Sequence, residues 1–149
     1  MRTMLKPFDS LSPGELYEIL RARVNIFVVE QNCPYPELDG KDLHCLHLAC
    51  WEGEFLAAYL RLVPPGISYA EASIGRVITS AAFRGRGLSR RLMQEGMAYI
   101  YEVWQCSRIR LSGQQYLEKF YNSLGFKTVS EMYLEDGIPH VEMLWEAAP

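Results

Sequence analysis

Residues Ser73 to Met93, SIGRVITSAAFRGRGLSRRLM, join three local signals in one short stretch. Ile74, Val77, Ile78 and Thr79 are β-branched and favour an extended, buried segment. Arg84-Gly85-Arg86-Gly87-Leu88-Ser89 follows, with two glycines whose backbone freedom suits a loop that a ligand can approach closely. From Leu88 onward, Leu92, Gly96, Ile100 and Trp104 recur every four residues, the spacing of one helix face. A helix start leaves N–H groups unpaired and carries positive partial charge. Strand, glycine loop and helix start, in that order, describe a cradle for a phosphate group.

Two common phosphate loops do not fit. A P-loop requires G-x-x-x-x-G-K-S/T, and no Gly-Lys-Ser or Gly-Lys-Thr occurs. A dinucleotide loop requires G-x-G-x-x-G, and Arg90 stands where its third glycine belongs. The spacing Arg84-x-x-Gly87-x-Ser89 instead resembles the coenzyme A pyrophosphate loop of the GNAT superfamily of acyl-CoA N-acyltransferases, whose pattern is Q/R-x-x-G-x-G/A. Ser89 departs from it at the last position. Downstream, Gln114-x-x-Leu117-x-x-x-Tyr121-x-x-x-Gly125-Phe126 resembles the N-x-x-A-x-x-x-Y-x-x-x-G-F element of the same superfamily, with Gln114 and Leu117 in place of Asn and Ala. FVVEQNCPYPELDG (Phe27 to Gly40), IGRVI (Ile74 to Ile78) and YLEDGIPH (Tyr133 to His140) look like the ElaA-like branch. The likeness runs from about Leu16 to His140.

The resemblance implies an N-acetyltransferase that moves an acetyl group from acetyl-CoA, its cosubstrate, to an amine of a small molecule or peptide. Main-chain groups of Val77, Ile78 and Thr79 would bond the pantetheine arm. Those of Arg84, Gly85, Arg86, Gly87, Leu88 and Ser89 would hold the pyrophosphate, and Gln114 would contact the coenzyme or structure the strand splay. Tyr121 would protonate the departing thiolate, since a phenol of pKa ~10 can donate to a thiolate whose acid lies near ~8.5. Tyr121 also belongs to a Leu117, Phe120, Tyr121, Leu124 stripe that alone would read as plain core, but its place four residues before Gly125-Phe126 favours the functional role. Glu30 and His140 are candidates for the base, and Arg76 for orienting an acceptor carboxylate. A non-catalytic acyl-CoA-binding regulatory module is the alternative. A nucleotide-binding regulator is weaker, because the P-loop lysine is missing.

At 149 residues, one domain spanning 1–149 is expected, with enough chain to bury a core. A net charge of −3 argues against nucleic-acid binding. Four cysteines without a C-x-x-C pair point to reduced thiols. His44, Cys45, His47 and Cys50 invite a metal, but on one strand they alternate between faces, so no metal is expected. No membrane partner and a cytoplasmic location follow from the missing signal segment and apolar span.

Pro7 restricts a first strand to an edge. Ser12-Pro13-Gly14-Glu15 signals a capped helix reaching about Val29, with Leu16, Ile19, Leu20 and Phe27 on one face and Arg21 and Arg23 available to solvent. Gln31 to Asp42 reads as a loop offering Glu30, Tyr35, Glu37, Asp39 and Asp42 to a cationic acceptor, with Glu30 pointing inward from the end of an apolar run. A hairpin over His44–Trp51 and Phe55–Val63, a strand over Ser73–Ser80, a helix over Leu88–Val103, a strand over Arg108–Ser112, a helix over Tyr116–Leu124 and a last hairpin around Asp136-Gly137 complete the order. This predicts an α+β fold: a mixed, mostly antiparallel sheet with one parallel crossover and helices on both faces. The GNAT resemblance implies the same architecture, with the central parallel strand pair splayed apart. Tyr133 and Trp145 of the last hairpin could pair with a second subunit in a homodimer.

Overall fold

The computed structural model describes every residue from Met1 to Pro149. Ser12 opens α1 (Pro13–Val24) with a reciprocal cap. Its hydroxyl accepts from the Glu15 N–H at 3.0 Å, and the Glu15 carboxylate accepts from the Ser12 N–H at 2.8 Å. Pro13 sits first in the helix, where no N–H is needed. The helix does not run on in α form to Val29. Asn25–Glu30 widens into a π turn instead. The extra residue per turn shifts the phase, so Phe27 packs under the sheet while Glu30 reaches the surface.

β1 (Arg2–Pro7), β2 (Leu46–Glu52), β3 (Phe55–Val63) and β4 (Ser73–Thr79) form an antiparallel sheet in that order, with the Pro7-bearing strand at its edge. β2 starts later than expected because Lys41–His44 forms a 3-10 turn. β5 (Arg108–Gln114), β6 (Lys127–Thr128), β7 (Tyr133–Glu135) and β8 (Ile138–Glu146) form the second group, and β8 pairs with the other three. The first arm of the last hairpin is two short pieces, β6 and β7. Asp136 and Gly137 turn β7 into β8 at φ 51° and 78°, the left-handed pair that a tight hairpin needs.

The two groups meet through one parallel bridge, Ala72 to Ile109, where the Arg110 N–H donates to the Ala72 oxygen at 2.9 Å. Beyond it β4 and β5 splay apart, and the facing edge of β4 carries no strand partner. Unpaired main-chain groups on such an edge are available to a ligand.

Alternation along β2 separates two cores. Leu48 and Cys50 join Leu92, Met93 and Ile100 beneath α2 (Leu88–Glu102), while Ala49 and Trp51 join Ile19 of α1 on the other face. Gly96 is where α2 lies closest to the sheet, and a Cβ there would come within 2.9 Å of Leu62 Cδ2. α3 (Glu118–Ser123) adds Tyr121 to the α2 core. Trp145 packs on Gly125 and edge-on to Tyr101, and Tyr133 stacks on His140, so both aromatic rings of the last hairpin have partners within the chain. No helix is long and apolar enough to cross a membrane.

Candidate active site

The Arg84–Ser89 loop joins β4 to α2 with Gly85 at φ 84° and Gly87, the cap of α2, at φ 71°. Both are left-handed positions at which any other residue would be strained. The first turn of α2 contains no acidic residue, so its N–H groups and dipole face an uncompensated opening suited to an anion. Ser89, the departure from the pattern, is accommodated by a 2.5 Å hydrogen bond between its hydroxyl and that of Thr79, which ties the helix to the end of β4. The arginines that follow Arg84 divide. Arg90 lies over the Phe120 ring beside the loop and Arg86 over Phe83, while Arg91 turns to Thr3 and Glu95.

From this cradle a groove of about 440 Å³ runs along β4. Val77, Ile78, Thr79 and Ser89 form one wall, and Gln114, Leu117, Phe120 and Tyr121 the other. Glu30 does not point inward. It is exposed at the rim of the groove, where Arg84 grips both its oxygens at 2.9 and 3.0 Å and lowers its pKa. The π turn that rotated Phe27 inward turned Glu30 out.

The inner end of the groove meets a second cavity of about 120 Å³. Phe27, Gln31, Val77, Gln114, Leu117 and Tyr121 line both. Gln114 Nε2 donates to Gln31 Oε1 at 3.2 Å across this junction, a contact between residues 83 apart that no local signal announces. Tyr121 is buried to 6 % exposure, and burial pushes its pKa up to about 12. No hydrogen bond engages its hydroxyl.

The second cavity is walled by the 31–45 loop, the middle of β4 and the β7–β8 turn. His140 lies on this wall with Nδ1 2.7 Å from the Ile138 oxygen, which requires the proton on Nδ1, and with Nε2 3.4 Å from Glu135 Oε2. The loop carboxylates are not free for a ligand in the way the sequence implied. Arg23, expected at the surface, has no exposed side chain and binds Glu37 at 2.8 Å and Asp42 at 2.7 Å. Arg61 binds Asp39 at 2.5 Å and Asp42 at 2.9 Å. Arg76 binds Glu37 at 2.6 Å, so it is engaged by a carboxylate of its own chain. Burial works to raise the Asp42 pKa, but hydrogen bonds from Arg23 and Arg61 outweigh it and hold it low. Three arginines from three elements thus neutralise the three loop carboxylates and lock the loop to the sheet. Arg76 also carries a positive φ of 54° in the irregular stretch where β4 bulges away from β3.

Two signals for this network were present in the sequence. Arg23 follows Ile19 by four and precedes Phe27 by four, which places it on the buried stripe of α1. Arg61 interrupts the apolar run FLAAYLRLV. The residues His44, Cys45, His47 and Cys50 are distributed otherwise. His47 is buried, with Nε2–H donating to the Asp42 oxygen at 3.0 Å and Nδ1 accepting from the Tyr59 hydroxyl at 2.7 Å.

A phosphate cradle at a helix start, a groove between splayed strands and a second cavity beyond a buried tyrosine define the acyl-CoA-dependent acyltransferase class. The model of the acetyltransferase (GNAT) domain matches residues 28–147, and the chain belongs to this family. Among its relatives is protein ElaA of Escherichia coli, 41% identical over 140 residues, or 93% of this chain and 92% of ElaA. A UPF0039 protein of Schizosaccharomyces pombe is 44% identical over 143 residues, covering 95% of this chain and 94% of its own. The crystal structure of an acyl-CoA N-acyltransferase from Pseudomonas aeruginosa superposes with a TM-score of 0.91 at 41% identity, covering 97% of this chain and 98% of that one. The crystal structure of E. coli ElaA gives 0.90 at 37% identity, covering 97% and 99%.

Proposed function

We propose that the chain, as one domain over residues 1–149, is an N-acetyltransferase that moves an acetyl group from acetyl-CoA to an amine by direct attack. The observation that carries this reading is the position of Tyr121: a buried phenol with an unengaged hydroxyl, lining both the groove and the second cavity. The Arg84–Ser89 main chain and the α2 dipole hold the pyrophosphate, with Arg84 leaving Glu30 to add its charge. The free edge of Val77, Ile78 and Thr79 bonds the pantetheine arm, and an N–H at the bulge polarises the thioester carbonyl. Gln114, held by Gln31, sets the width of the junction.

The acceptor enters the second cavity as an ammonium. His140, fixed by its Nδ1–H bond to Ile138, takes one proton at Nε2, and Glu135 balances the imidazolium. The amine lone pair forms the C–N bond, the C–S bond breaks, and sulfur leaves with the Tyr121 proton. The second amine proton restores the Tyr121 phenol, so one proton in all is released to water. Glu30, held at the rim by Arg84, is assigned to Arg84 and not to the amine.

The test is release of free thiol from acetyl-CoA in the presence of amines, with Tyr121→Phe beside the wild type. The phenylalanine variant should bind acetyl-CoA normally and lose transfer by about 10²-fold or more. A wild type that binds acetyl-CoA but releases no thiol with any amine would make the protein a binding module.

A further inference from the structure

Glu37 differs from the other loop carboxylates. Its side chain is more than nine-tenths buried, at 7 % exposure, and lines the acceptor cavity. Both arginines that bind the carboxylate do so through Oε2, Arg23 at 2.8 Å and Arg76 at 2.6 Å. The further bonds from these arginines go to the Glu37 main-chain oxygen, at 3.5 Å from Arg23 and 3.1 Å from Arg76. Oε1 has no hydrogen-bond partner, yet it is not among the sealed polar atoms of the interior. Its remaining accessible surface belongs to a residue that lines the cavity.

A half-engaged buried carboxylate lining a ligand cavity favours a cationic group there. The charges of the rest of the wall agree. Glu37, Glu135 and Asp136 line the cavity against the guanidinium of Arg76, which Glu37 and Asp39 already occupy, and the imidazole of His140, which Glu135 faces at 3.4 Å. No free arginine or lysine lines it to receive a carboxylate. The β7–β8 turn that brings Glu135 and Asp136 is tied to the 31–45 loop by the Cys33 thiol, which donates to the Asp136 oxygen at 3.3 Å.

We propose that the acceptor carries a second cationic group besides the reacting amine, as an alkyl diamine does, and that Glu37 Oε1 receives it. This rests on the reading of the second cavity as the acceptor site. An amine with a carboxylate at its other end is excluded by the same wall. Arg23 and Arg76 act as positioning residues, since they hold Oε2 and so aim Oε1.

Three probes of similar length separate the possibilities: 1,4-diaminobutane, n-butylamine and 4-aminobutanoate, with cationic, neutral and anionic ends. Each is titrated calorimetrically into protein saturated with coenzyme A, and each is offered as acceptor with acetyl-CoA. The diamine should bind about tenfold more tightly than butylamine, with aminobutanoate weakest, and kcat/KM should follow that order. In Glu37→Gln the amide oxygen can keep both arginines while the NH2 turns into the cavity, so the ratio of diamine to butylamine binding should fall to about one. The wild-type series decides the matter even where that variant fails to fold. Equal binding of diamine and butylamine, no detectable diamine binding, or a preference for aminobutanoate would overturn the inference. Selective diamine binding without thiol release would sustain it and remove the transferase reading instead.

Discussion

The Tyr121 ring lies against the bare Cα of Gly113: a Cβ there would stand 3.0 Å from Tyr121 Cε2 and 3.1 Å from Cδ2. Both atoms belong to a stiff ring boxed in by Phe120 and Phe126, so the ring cannot yield without moving its hydroxyl. Gly113→Ala should therefore lower kcat about tenfold to a hundredfold while leaving the Kd for acetyl-CoA within about twofold. An unchanged kcat would show that the Tyr121 hydroxyl has no role in the slow step.

Burial raises the Tyr121 pKa to about 12, so the phenol remains a proton donor through neutral and moderately alkaline solution. The pH profile of kcat should show no decline assignable to this group below about pH 11. A descending limb near pH 9 that persists at saturating amine would assign the acid to another residue.

Arg23 has no exposed side-chain surface and satisfies two carboxylates. Removing one partner from such a cluster leaves uncompensated buried charge. Arg23→Met should cost about 3–5 kcal/mol of unfolding free energy, measured by urea denaturation. A loss below about 1 kcal/mol would mean that water enters and solvates Glu37 and Asp42.

His47 is held neutral, its pKa lowered by burial. A folded pKa below the unfolded value of ~6.5 means that the unfolded chain binds the extra proton. Its contribution to stability is complete above about pH 6.5 and is lost as pH falls through the folded pKa. The wild type should lose stability between pH 7 and pH 5 that His47→Gln, less stable at pH 7, does not lose. Parallel pH dependences of the two melting curves would refute this.

Arg84 binds Glu30 through both oxygens at an exposed rim. Glu30→Gln weakens that competitor for the guanidinium. The Kd for coenzyme A should fall by roughly threefold, with kcat changed less than about twofold. A hundredfold fall in kcat would restore Glu30 as the base.

The α1 cap, the hairpins and the cradle were legible because each depends on residues close together in sequence, whereas the splay of β4 from β5, elements about 35 residues apart, came only through the family resemblance. Gly85 and Gly87 permit the left-handed backbone that the loop adopts at both. Arg23 was misread because surface exposure was assigned by residue type, although its spacing from Ile19 and Phe27 put it on the buried stripe. Glu30 was misread for a different reason. A π turn shifts helical phase by one residue, and nothing in the composition of NIFVVE distinguishes it from an α turn.

Local order therefore determined the elements, their sequence and the donor cradle, since caps, turns and periodicity act over a few residues. The acceptor side was decided only in three dimensions. Glu37 faces its cavity with one free oxygen because Arg23 from α1 and Arg76 from a bulge in β4 converge on the other. Tyr121 meets that cavity because Gly113 on β5 leaves room for its ring. Contacts between residues so far apart depend on how the sheet splays and where each helix docks, and no short window of sequence contains that information.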